Sequence, residues 1–130
     1  LNGNTKTYVL SGWQSLTGFD RSSAVSSAMP SGTKVVVEPN TYEAGRANVL
    51  IYNWAHQGAV SVDMSNVLRI GDSYEVRNAQ NFYGAAVASG TYGGGAISIP
   101  ITSITPPAPI TGKSPWTTGS EFNAYVVIKR

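Results

Sequence analysis

"NVLIYNWAHQGAVSVDM", residues 48–64, decides the fold. Apolar and polar residues alternate on both sides of a short turn segment, which is the two-residue period of strands half-buried in a sheet. Read locally it is a β-hairpin, and the length of its loop decides which side chains are buried. A two-residue turn at His56 and Gln57 sets Ile51 opposite Val62 and buries Val49 and Ile51 with Val60, Val62 and Met64. Leu50, Tyr52 and Trp54 then face outward as an aromatic platform. A three-residue loop, His56-Gln57-Gly58, shifts the pairing by one residue and buries Leu50, Tyr52 and Trp54 instead. His-Gln is a poor pair for the two positive φ angles of a type I′ turn, whereas Gly58 suits a left-handed bulge. Turn chemistry therefore favours the second register and a buried Tyr52–Trp54 pair.

Outward from this stretch the texture repeats. "TKVVVEP", "SYEVRNA", "AAVASGTY", "AISIPIT" and "FNAYVVIKR" are further short runs rich in Val, Ile and Tyr, punctuated by Gly, Asn, Asp and Pro. "GTYGGGAISI" reads as a second hairpin. "SGWQSLTGFD" reads as a short helix, with Ser11 and Gln14 in capping-box spacing and Gly18 placed to end it. The sum is an all-β, antiparallel β-sandwich of seven to eight short strands with one short N-terminal helix. It is expected as a single domain. Residues 1–32 form an N-terminal strand, the helix and a Ser-rich connector, and residues 33–130 form the sandwich. A long Pro-rich connection, residues 102–121, crosses the surface before the last strand.

Composition narrows the class. Charged residues are 12% of the 130, against roughly 25% in ordinary globular domains. Ser, Thr, Asn, Gln and Gly must cover the surface, as suits a secreted or cell-surface β protein. There is no cysteine, so disulfides and thiolate metal sites are excluded. The net charge is +2 and the nine basic residues are scattered, without the stripe that tracks phosphates, which argues against nucleic acid as a partner. No apolar run is long enough for a membrane span. The chain opens without Met at "LNGNTKTYVL", as a mature or excised fragment would.

The inventory for catalysis is thin, and no enzyme and no cofactor are expected. The single histidine, His56, lies in a turn with no acid or hydroxyl beside it in a recognisable arrangement. Carboxylates such as Asp63 with Asp72, or Glu38 with Glu43, have no spacing that fixes them as a glycosidase pair. Glu38, Asn40, Glu43 and Asp20 offer oxygens without the spacing of a calcium loop, so no metal is expected.

The informative residues for binding are aromatics that no alternation claims for the core. These are Trp13 in the short helix, Phe82 and Tyr83 in "NAQNFYGAA", Tyr92 in the glycine turn, and Trp116 in the Pro-rich crossing. A sugar ring stacks its apolar face on an aromatic and satisfies its hydroxyls with amides. Asn78, Gln80 and Asn81 beside Tyr83 supply both in one loop, and Tyr83, Asn81, Gln80, Trp116 and Tyr92 are the candidate carbohydrate-binding residues.

The order "VLIYNW", "VSVDMSNVLRIGDSYEVRNAQNFYGAAVASGTYGGGAISIPI" and "EFNAYVVIKR" resembles the all-β C-terminal accessory domain of secreted bacterial polysaccharide-associated proteins. There such domains follow glycoside hydrolase catalytic domains or right-handed parallel β-helices. "WQSLTGFDRSS" looks like the segment that precedes such a domain in β-helix proteins. The resemblance implies an accessory sandwich and transfers no catalytic residue. Two readings result. One is a non-catalytic extracellular module that binds or packs against a polysaccharide or oligosaccharide. The other is a structural subunit or packing domain of an extracellular assembly. In it a preceding domain or neighbouring subunit is engaged by strand addition through residues 1–10.

Overall fold

Each of the seven alternating runs is a strand: β1 (Thr33–Pro39), β2 (Arg46–Asn53), β3 (Ala59–Asp63), β4 (Ser73–Asn78), β5 (Ala88–Thr91), β6 (Ala96–Pro100) and β7 (Phe122–Lys129). They come from a computed structural model that describes residues 6–101, 106–113, 116–117 and 119–130. The chain divides into two units, Leu1–Pro30 and Ser31–Arg130. All seven strands lie in the second. They build two antiparallel sheets, one of five strands in the order β1-β2-β7-β4-β5 and one of two strands, β3-β6.

The sheets bury one face each, as a sandwich requires. The larger contributes Ala47, Val49 and Ile51 from β2, Val76 from β4, and Tyr125 and Val127 from β7. The smaller contributes Val60 and Val62 from β3 and Ile97 and Ile99 from β6, with Met64, Leu68, Tyr92 and Ile101 closing the core. Val35 and Val37 of β1 pack against it from the edge.

Residues 48–64 are not a hairpin. β2 pairs with β1 and β7 in the larger sheet, whereas β3 pairs with β6 in the smaller, so residues 54–58 carry the chain from one sheet to the other. Asn53 shapes this crossing. Its amide donates to the Gln57 and Ser120 carbonyls (2.9 and 3.0 Å), and its side-chain oxygen accepts the Gln57 N–H (3.0 Å). The left-handed residue is His56 (φ 51°), with no positive φ at Gly58. The buried set is Val49, Ile51, Val60, Val62 and Met64, and the preference for a buried Tyr52–Trp54 pair is overturned. "GTYGGGAISI" is likewise a crossing, since β5 pairs with β4 and β6 with β3.

In the first unit, α1 (Leu10–Thr17) begins one residue before Ser11, which is therefore inside the helix rather than at its cap. Gln14 instead donates to the Asp20 and Ser23 carbonyls, and the Trp13 indole donates to the Asp20 carboxylate (2.9 Å). Gly18 ends the helix in the left-handed conformation, its N–H on the Gln14 carbonyl. Residues 6–9 form no strand, and residues 1–5 of the expected N-terminal strand lie outside the described residues. So do residues 102–105, 114–115 and 118 of the Pro-rich connection.

Candidate functional site

Once Val49 and Ile51 face the core, strand geometry turns Leu50, Tyr52 and Trp54 to the opposite face of the five-stranded sheet. Register then assembles a row: Lys34 of β1 lies opposite Tyr52, and Tyr52 lies opposite Phe122 of β7. Tyr52 stacks on Trp54 with ring centroids 5.4 Å apart and packs at a tilt against Phe122 at 5.0 Å. These rings are half-buried, and beside them on the same face lie Val36, Leu50, Ala124 and Val126, also half-buried. A sheet face with this much apolar and aromatic area is unusual on the outside of a sandwich, whose outer positions are ordinarily polar.

The loop after β4 is drawn onto the same face. A one-turn 3-10 helix, Ala79–Asn81, is started by Asn78, whose side chain accepts the Gln80 N–H. Arg77 points outward, because Val76 and Asn78 face the core, and it donates to the carbonyls of Phe82 (3.0 Å) and Gly84 (2.7 Å). The Arg46 guanidinium, on the same face, sits 5.9 Å from the Phe82 ring centre. Phe82 in turn meets Tyr83 edge to face at 5.2 Å. Arg77 is fixed by Glu75, which also takes Arg130 (2.7 Å to each). The Arg130 hydrogen bond first, and that of Arg77 second, hold the Glu75 carboxyl below its ordinary range.

Of the residues expected to bind carbohydrate, Gln80, Asn81 and Tyr83 lie in the loop after β4, Trp116 is tied to that loop through Gln80, and Tyr92 is in the core. Tyr83 and Trp116 are 95% and 94% exposed. Gln80 reaches the Trp116 carbonyl (3.4 Å), which joins the two loops. Asn81 packs tightly against Gly84, where a Cβ would fall 2.6 Å from its amide nitrogen. Tyr92 is 3% exposed, a core residue whose hydroxyl donates to the Gly95 carbonyl (2.8 Å), so it presents no ring to a ligand. Its main chain bonds to Gly71 and Asp72, ahead of β4, and not to the loop that follows it. Sequence reasoning assigned it to a glycine turn because three glycines follow it. Its burial follows from the crossing between the two sheets, which the run of glycines does not reveal.

The structure also adds what the sequence did not show. His56 lies 3.5 Å from the Glu121 carboxylate through Nε2 and 3.4 Å from the Ser120 hydroxyl through Nδ1. The hydroxyl and the acid stand on opposite ring nitrogens, but the His56 and Glu121 side chains are 58% and 65% exposed, so the arrangement is a solvated surface contact. Of the four carboxylates considered as pairs, three have separate occupations. Asp63 caps the Ser65 N–H, and Glu43 pairs with Arg46. Asp72 takes Lys129 (2.6 Å) and the Arg69 N–H (2.9 Å), and these hydrogen bonds lower its pKa. These last residues line a cleft of about 190 Å3 with Ala44, Gly45 and Val67. That is smaller than the roughly 300 Å3 at which ligand pockets begin. Among the described residues no three His, Asp or Glu side chains converge to hold a metal, and no helix is long and apolar enough to cross a membrane.

Compared with protein-family models, with curated proteins and with solved structures, the chain matches none.

Proposed function

We propose that the Ser31–Arg130 unit is a non-catalytic, extracellular glycan-binding module whose platform is the outer face of the five-stranded sheet. One observation carries the reading: the Trp54–Tyr52–Phe122 cluster stands on that face instead of in the core. Aromatic rings beside apolar Leu50 and Ala124 suit the C–H face of a pyranose. Lys34, Gln80 and Asn81 supply hydrogen bonds to hydroxyls at the margin. Tyr83 and Trp116, almost fully exposed, extend the contact along a chain of sugars. The module lies against a polysaccharide while a neighbouring domain or subunit does other work.

Affinity electrophoresis through gels holding neutral and acidic polysaccharides tests this. At least one gel is expected to retard the chain, and Trp54→Ala to abolish most of that retardation. Tyr83→Ala and Trp116→Ala should each weaken it several-fold with the melting temperature unchanged, because neither side chain is buried. No retardation on any gel, or retardation indifferent to all three substitutions, removes the reading.

A further inference from the structure

We propose that the outer edge of β1 is a self-complementary interface through which two copies of the chain join their five-stranded sheets into one continuous antiparallel sheet, about a two-fold axis at Val36.

Among the described residues of the Ser31–Arg130 unit, β1 is an edge strand, hydrogen-bonded to β2 on one side. The hydrogen-bond phase of that pairing is fixed by two bonds. Asn40 N–H donates to the Arg46 carbonyl on one side of β2, and Asn53 N–H donates to the Glu121 carbonyl on the other. Backbone groups alternate sides along a strand, so Lys34, Val36 and Glu38 are spent on β2, while Thr33, Val35, Val37 and Pro39 face the open side. Pro39, which has no N–H, stands at one of these open-side positions, where it removes nothing from the ladder to β2. The remaining edge, Val35 to Val37, is apolar, with charge only at the flanking Lys34 and Glu38.

An antiparallel copy centred on Val36 satisfies that edge. Val35 and Val37 exchange N–H···O=C bonds with the partner's Val37 and Val35, and the two Val36 side chains meet across the axis. The same register sets Lys34 opposite the partner's Glu38 and Glu38 opposite the partner's Lys34. All four side chains lie on the outer face, since Val35 and Val37 face the core. Both are exposed, and neither has an ion pair among the described residues. Moving the axis to Val35 or to Val37 sets Lys34 opposite Val36 or Asn40, and both contacts are lost. Only one axis therefore matches the hydrogen-bond phase, the faces and the charges together, and it gives the isologous geometry of a two-fold dimer. The other edge, β5, is four residues long with Gly90 inside it and offers no such pattern.

Sedimentation velocity of the full chain from micromolar to millimolar concentration tests this. The wild-type chain is expected to pass from monomer to dimer. Lys34→Glu and Glu38→Lys each place like charges at both cross-strand contacts and should each weaken the dimer about tenfold or more. An equimolar mixture of the two variants restores opposite charges at both contacts, so it should form a one-to-one complex where neither variant alone associates. Unchanged circular dichroism confirms that both variants fold. A wild-type chain that stays monomeric at millimolar concentration overturns the proposal. So do variants that dimerise as well as wild type, and a mixture that does not associate.

Discussion

Asn53, Asn78 and Asn123 hold positions where alternation calls for Val or Ile, and each is buried. A buried amide without partners costs about 1–3 kcal/mol, so three of them in one core demand an account. Asn78 donates to the Asn123 side-chain oxygen (3.2 Å), Asn123 donates to the Gly119 carbonyl (2.9 Å), and Asn53 grips Gln57 and Ser120. No buried side-chain polar atom among the described residues lacks a partner. The amides thus fasten the loops that lead from Trp54, to Gln80 and into Phe122. Tyr125 does similar work between sheets: it is 1% exposed and its hydroxyl donates to the Pro100 carbonyl (3.2 Å). Burial pushes its pKa up to about 12, against about 10 in the unfolded chain. The unfolded chain therefore loses this proton first. The contribution to stability is complete below about pH 10 and is lost as pH rises through about 12. Tyr125→Phe is expected to lower the free energy of urea unfolding at pH 7 by about 1 kcal/mol for the missing donor. It should also narrow the gap to wild type at about pH 11. A gap that stays constant across that range would refute the assignment.

At the scale of elements, β2 is the strand whose two faces have different jobs, and adjacent residues test the division. Ile51→Ser empties a core position and adds a hydroxyl, so it should cost about 3–5 kcal/mol in urea unfolding. Leu50→Ser, one residue away on the outer face, should cost about 1 kcal/mol or less. Equal losses would mean that the outer face is as buried as the core. The existence of all seven strands was legible in the sequence, because alternation and β-branched residues mark a strand locally. So was the end of α1 at Gly18. Partnership was not legible. Val49, Ile51, Val60 and Val62 alternate identically whether β2 and β3 lie side by side or face each other across a core, since period reports the buried face and not the neighbour. The site divided the same way. Tyr83 and Trp116 could be recognised as unclaimed aromatics, but Tyr52, Trp54 and Phe122 form a row only once β2 and β7, some seventy residues apart, are set in register. The turn argument favoured Gly58 as the residue that bends the chain. It had no means to weigh Asn53, whose reach to Ser120 is a tertiary contact.

For the whole molecule, the order of strands in the larger sheet sets when it is finished. β7 lies between β2 and β4, so it joins the β1-β2 pair to the β4-β5 pair, and nothing else in that sheet does. Neither pair is adjacent to the other without it, and most of the strand pairing is between distant parts of the chain, which makes for slow folding. During synthesis, six strands leave the ribosome before the one that unites them. Until Phe122–Lys129 is clear of the exit tunnel, Val76 and Ile51 stand as unsealed halves of a core, open to proteases and to the sheet edges of other nascent chains. Ribosome-bound chains arrested with β7 inside the tunnel should be cleaved rapidly by a non-specific protease, and a tether long enough to release β7 should confer resistance in a single step. Of the seven strands described, β7 is made last and is the keystone of the arch, and the cell must shelter the unfinished vault until it is set.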